Sequence, residues 1–116
     1  MGSDYNLKLP NAAHAHVDIA KLRDYCLSSS HPEGRHKARV FLSALDLSAQ
    51  DAEFLRRAIL DAVVSTDAVP ADADPFGSRH VVDFELKRGN RKAMIRTAWI
   101  VRRGETIPRM LTCYVL

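Results

Sequence analysis

Lys92–Leu116 reads KAMIRTAWIVRRGETIPRMLTCYVL, two runs rich in β-branched and aromatic residues around the loop Arg103-Gly104-Glu105-Thr106. Such runs favour extended chain, and a Gly-containing break between them reads as a turn. Working backwards, Arg88-Gly89-Asn90-Arg91 is a second turn, with Gly supplying a positive φ, and Arg79–Lys87 alternates as a strand. With Gly89-Asn90 as the two-residue loop, Leu86 falls opposite Ala93, Phe84 opposite Ile95, Val82 opposite Thr97 and His80 opposite Trp99. The other face then pairs Glu85 with Met94 and Asp83 with Arg96, a favourable opposite-charge pair. Lys87 opposite Lys92 counts against that register. In the last run the odd residues Leu111, Cys113 and Val115 suit the core, leaving Thr112 and Tyr114 beside Arg96 and Asp83; the reverse assignment stays open, because Met110 and Leu116 are also apolar.

Upstream, the apolar period changes to that of helices. Asp18 is an N-cap for a helix over 18–27, with Ile19, Leu22, Tyr25 and Cys26 on one stripe. The turn His31-Pro32-Glu33-Gly34 precedes a helix over 35–45 with Ala38, Phe41, Ala44 and Leu45 inward. Ser48 and Asp51 form an approximate capping box for a third helix over 49–64, whose stripe runs from Ala52 through Leu55 and Ile59 to Val63. Residues 4–17 read as irregular, with a turn at Leu9-Pro10-Asn11 and surface histidines at 14 and 16. Residues 65–78, with Pro70, Pro75 and Gly77, form the longest loop, in which Ala68-Val69 has a strand's character for a sheet edge. Helices first and strands afterwards give an α+β domain: three N-terminal helices packed on one face of a C-terminal antiparallel sheet of three to four strands, over 79–87, 92–103 and 109–116.

The chain of 116 residues, 47% hydrophobic and 27% charged, suits a single globular domain. No run approaches a membrane span, and the start lacks the basic-then-apolar pattern of a signal peptide. Cys26 and Cys113 have no zinc or redox spacing and read as buried free thiols, which fits a reducing cytoplasm. The net charge of +3 is unevenly spread. Residues 40–86 carry three Lys/Arg against nine Asp/Glu, a net −6, and residues 87–116 carry eight against one, a net +7. The basic block would attract RNA or an acidic partner protein.

Cleaving RNA without a metal needs a base for the ribose 2′-hydroxyl, an acid for the leaving 5′-oxygen and a cation for the phosphorane. Histidine can serve as base or acid near neutral pH, arginine offers a planar fork to phosphate, and Thr or Tyr hydroxyls orient its oxygens. His31, His36, Lys37, Arg96, Thr112 and Tyr114 would supply these parts, provided that the start of the second helix lies over the sheet. Arg35, Asp83, Lys92 and Arg109 would line the substrate path. In the competing reading each residue serves the structure alone. His31 then shapes a turn, Arg96 pairs with Asp83, Thr112 favours a strand and Trp99 anchors the core. Motifs for dinucleotides, nucleotide phosphates, calcium, zinc peptidases and serine hydrolases are absent, and no cofactor is expected.

Three segments, Leu9–Ala12, Lys21–Leu27 and His31–Phe41, together with Ile95–Ile100 and Pro108–Val115, resemble a bacterial domain of unknown function. That family occurs as short free-standing proteins and at the C-terminal tips of large secreted polymorphic toxins. The resemblance implies a nuclease toxin and makes His31, Lys37, Arg96 and Thr112 reasonable carry-overs. Helices followed by an antiparallel sheet also resemble the ribonuclease architecture of barnase-like and RelE-like toxins. An acidic antitoxin or immunity protein is the partner that the resemblance implies, acting inside the cell. The alternative is a binding module without chemistry that docks an acidic protein on its basic sheet face.

Overall fold

The computed structural model describes residues 7–116. The first residues of the irregular N-terminal segment, and the start read for a signal peptide, lie outside these. The domain is α+β, with three helices followed by a four-stranded antiparallel sheet in the order β1-β2-β3-β4. The strands are β1 (Val69–Pro70), β2 (Gly77–Arg88), β3 (Arg91–Arg102) and β4 (Arg109–Val115). The β2–β3 register follows the alternation pattern: His80 faces Trp99, Val82 faces Thr97 and Asp83 faces Arg96. Gly89 takes φ 60° in the hairpin turn. Lys87 does lie opposite Lys92, and Glu85 on the same face offsets the repulsion, 3.9 Å from Lys87 Nζ.

The inner face of the sheet presents Val82, Phe84 and Leu86 from β2, Ile95 and Trp99 from β3, and Met110 and Cys113 from β4, all buried in one core with the helices. Thr97 brings a hydroxyl into this apolar layer. That hydroxyl donates to the Val82 carbonyl (2.8 Å) and accepts from Trp99 Nε1 (2.7 Å), so two buried polar groups are satisfied through it. Between β3 and β4 the register slips: Ala98 faces Thr112, but Trp99 faces Met110. Leu111 is the extra residue of a bulge, so Met110 takes the core place expected for Leu111 while Cys113 keeps its own.

Helix α1 (Ile19–Lys21) is capped by Asp18, whose carboxylate accepts from Ala20 N–H at 2.9 Å. It continues as a π-helical turn, Leu22–Cys26, which the sequence pattern did not anticipate. Helix α2 spans Arg35–Leu45, the bounds expected. Asp46 ends it in the left-handed region, φ 55°. The third helix opens as a 3-10 turn, Ala49–Asp51, then runs as α3 (Ala52–Val63). The capping box is present, with Ser48 N–H donating to Asp51 Oδ2 at 2.9 Å. The N-terminal segment bridges to β4: His16 N–H donates to the Pro108 carbonyl, and Met110 N–H to the His16 carbonyl. That covers the outer edge of β4 at its start. His14 and His16 are exposed, as expected of surface histidines.

Candidate functional site

The π-helical turn decides what gathers around the start of α2. It carries Tyr25 and Cys26, and the turn His31–Gly34 lies against it so closely that Gly34 has no room for a side chain: a Cβ there would overlap the Tyr25 carbonyl oxygen. The His31 ring meets the Tyr25 ring edge-on at 4.7 Å. Lys37 Nζ donates to the Tyr25 hydroxyl at 3.1 Å and lies 5.9 Å from the centre of the Tyr114 ring. Tyr114 is directly opposite Arg96 on the outer sheet face. The Arg96 guanidinium grips Asp83 through two hydrogen bonds of 2.9 and 2.8 Å, and Asp83 first, then Tyr114, raise its pKa above the ordinary arginine value.

Four of the six residues expected to carry chemistry are therefore linked through a fifth side chain, Tyr25. His31 touches Tyr25, Tyr25 touches Lys37, Lys37 faces Tyr114, and Tyr114 adjoins Arg96. His36 joins from the other side, since His36, Lys37, Val40, Tyr114 and Val115 line a small cleft of about 260 Å³ between α2 and β4. Tyr25 is the member that sequence reasoning missed. Its place on an apolar stripe marked it as core, and only the π-turn swings its hydroxyl to Lys37.

Two candidates take different roles. His31 Nδ1 accepts the backbone N–H groups of Glu33 and Gly34, each at 3.0 Å. Those donors occupy the Nδ1 lone pair, so His31 caps its own turn and cannot also act as a base through Nδ1. Thr112 does not offer its hydroxyl to a phosphate: its Oγ1 is buried and lies beside Cys26. Cys26 and Cys113 are buried free thiols and adjoin one another, a pairing that spacing alone could not reveal. The Cys113 thiol lowers the Cys26 pKa against the effect of burial, with help from Thr112 and Lys37. The same contact, with burial, raises Cys113.

The expected substrate-path residues are scattered. Asp83 serves Arg96. Lys92 and Arg109, which faces Ile100, each lie four residues along the sheet from Arg96, about 13 Å in opposite directions at strand rise. Arg109 is paired with Glu105 at 3.1 Å. Arg35 opens α2 and faces a different cleft, on the helix's other flank. Among the described residues no three His, Cys, Asp or Glu side chains cluster as a metal centre requires, and no helix is long and apolar enough to cross a membrane.

The fold and this array define a small α+β domain with a mixed imidazole, lysine and tyrosine cluster at a helix–sheet junction. The chain belongs to the family described as a domain of unknown function, DUF6883, which matches residues 8–116. No curated protein and no solved structure matches it.

Proposed function

We propose that the domain is a metal-independent ribonuclease of the bacterial toxin kind, cleaving RNA through the ribose 2′-hydroxyl at the cleft between α2 and β4. The observation that carries this reading is the convergence of His36, Lys37 and Tyr114 on one cleft, with Tyr25 and Arg96 adjoining. His36 is exposed and makes no side-chain hydrogen bond among the described residues, so its imidazole is available to take the 2′-hydroxyl proton. Lys37 supplies the positive charge for the phosphorane. Because the Tyr25 oxygen accepts from Lys37, its own O–H is left to donate, and it or Tyr114 can protonate the departing 5′-oxygen. Arg96 is neutralised by Asp83 and so positions Tyr114 instead of binding phosphate itself.

The likeness to toxin tip domains and to barnase-like and RelE-like ribonucleases supports the same class, with an acidic antitoxin or immunity protein as partner. The test is incubation of purified protein with total RNA in EDTA. Wild type should yield fragments ending in 2′,3′-cyclic phosphate. His36→Ala should slow cleavage by at least about 100-fold, the usual contribution of a proton-transfer group. Intact RNA would refute the proposal.

A second reading, a docking module without chemistry, draws on Val40 and Leu116, which are 43% and 57% exposed, and on Met94 on the outer sheet face. Uncleaved RNA together with salt-sensitive capture of an acidic protein would favour it.

A further inference from the structure

On the opposite flank of α2 from His36 and Lys37 lies a larger cleft of about 490 Å³, within the range that small organic ligands occupy. Its floor is apolar and built from the buried side chains of Leu27, Ala38 and Leu47. Arg35 and Arg39, one helical turn apart on α2, border it. Neither makes an ion pair or a side-chain hydrogen bond among the described residues, although Arg23, Arg56, Arg79, Arg88, Arg96 and Arg109 all do. Two guanidinium forks on neighbouring turns of one helix face are about 6 Å apart at their bases, close enough to share one phosphate. The remaining lining is uncharged: Leu42 and Ala49 extend the apolar surface, and the polar part is the run Ser28-Ser29-Ser30 just before the His31 turn, Ser48, and the amide of Gln50.

A carboxylate with a long alkyl tail would leave those hydroxyls and that amide without partners. An inorganic anion would leave the apolar floor wet. A flat heteroaromatic body with polar edges and a phosphate satisfies all three surfaces at once. We infer that this cleft is a ribonucleotide-binding subsite, with Arg35 and Arg39 on the phosphate, the base over Leu27, Ala38 and Leu47, and the serine run and Gln50 on the base edge. The inference rests on the ribonuclease reading for its choice of ribonucleotide. The two clefts share α2 as their common wall, and the Ser28–Ser30 run leads straight into the turn that holds His31 against Tyr25. A strand bound in one cleft therefore crosses the start of α2 to reach the other.

The experiment is calorimetric titration of the full chain with the four ribonucleoside 3′-monophosphates, with uridine and adenosine, and with inorganic phosphate, in wild type, Arg35→Glu, Arg39→Glu and Lys37→Ala. Acidic residues near a helix start are favoured by the macrodipole, so both charge reversals should fold, which a melting curve confirms. At least one nucleotide should bind saturably. Nucleoside alone and phosphate alone should each bind at least about tenfold more weakly, and each Arg→Glu change should weaken the nucleotide at least about tenfold, the loss of one charge-assisted hydrogen-bonding pair. Lys37→Ala should keep nucleotide affinity and lose RNA cleavage. No saturable nucleotide binding, phosphate binding as tight as nucleotide, or affinity untouched by both reversals would each overturn the subsite. If nucleotide binds as described but RNA stays intact, the cleavage reading falls and the subsite stands. If RNA is cut with no nucleotide bound, the reverse holds.

Discussion

Gly34→Ala should destabilise the domain for a reason that lies entirely in space. Gly34 has φ −87°, a value open to any residue, so alanine meets no backbone strain there. A Cβ at this position would overlap the Tyr25 carbonyl oxygen and sit 2.8 Å from its carbon. The obstacle is main chain, held in the π-helical turn, so no side-chain rotation relieves it. Either the His31–Gly34 turn lifts or the π-turn retreats. Lifting the turn opens the 4.7 Å edge-on contact of the His31 and Tyr25 rings, and retreat strains the 3.1 Å contact of Lys37 with Tyr25. Overpacking costs about 1–3 kcal/mol and one lost hydrogen bond about 1 kcal/mol, giving an expected loss of about 2–4 kcal/mol. At roughly 4 °C per kcal/mol for a domain of this size, Tm should fall by about 8–16 °C. Urea unfolding measures the free energy directly. Gly104→Ala is the control: it has φ 82° and open space around it, so it should lose only the left-handed penalty of about 1–2 kcal/mol. A Gly34→Ala protein within about 0.5 kcal/mol of wild type, the range of an inconsequential surface change, would show that the turn is not pressed against Tyr25.

Thr97→Val keeps shape but strands Trp99 Nε1 in the core, while the Val82 carbonyl keeps its ladder bond to the backbone of residue 97, so it should cost about 1–3 kcal/mol by urea unfolding; a loss below about 0.5 kcal/mol would mean that the indole N–H finds another partner. Burial lowers the His80 pKa from 6.5, so the unfolded chain binds the extra proton first. Stability attributable to His80 is thus complete above about pH 6.5 and declines as pH falls toward the lowered value; His80→Leu should flatten that slope, and an unchanged slope would sink the assignment. For binding of a 2′-O-methyl RNA strand, three phosphate contacts by Arg35, Lys37 and Arg39 predict a log–log salt slope near −2, at about −0.7 per contact. A slope of about −5 that survives Arg39→Glu would move the interface to the sheet.

Much of the β-sheet could be read in advance because period-two alternation and the Gly89 turn leave a single register that buries Val82, Phe84, Ile95 and Trp99 together. The bulge at Leu111 could not, since Met110 and Leu111 are equally apolar and a bulge is chosen by how the strand must bend, not by residue type. Helix α2 was legible to the residue, because the His31-Pro32-Glu33-Gly34 turn begins it and Ala38, Phe41 and Leu45 hold a strict period. The π-turn was not. One extra residue in a helical turn rotates Tyr25 off the stripe that the 3.6 period assigns to it, and that rotation brings its hydroxyl to Lys37. For the candidate site, residue types named side chains that the fold does bring together: Lys37 faces Tyr114, and Tyr114 adjoins Arg96. Their division of labour needed coordinates, because the roles of His31 and Thr112 depend on which atom faces which neighbour.

The +7 block at the C-terminus shows how a charge count misleads when partners are distant in sequence. Of its eight cations, Lys87 is near Glu85, Arg88 pairs with Asp51, Arg96 with Asp83 and Arg109 with Glu105. Three of those acids come from the −6 segment, residues 40–86. Folding lays the negative middle of the chain along the positive end, and the two largely cancel. The four left without an ion pair among the described residues, Arg91, Lys92, Arg102 and Arg103, sit at the two ends of the long hairpin and cannot grip one phosphate together. Helix α2 is the reverse case. Arg35, Lys37 and Arg39 have no carboxylate partner among the described residues, they occupy two turns of one helix, and they stand at the helix end whose free N–H groups already favour anions. Three cations at a positive helix end oppose stability; Lys37 gains the Tyr25 hydroxyl and ring, while Arg35 and Arg39 gain no ion pair or side-chain hydrogen bond among the described residues. An anion bound across α2 would add an opposite charge to all three, so the RNA path that we propose runs over the helix and not over the sheet.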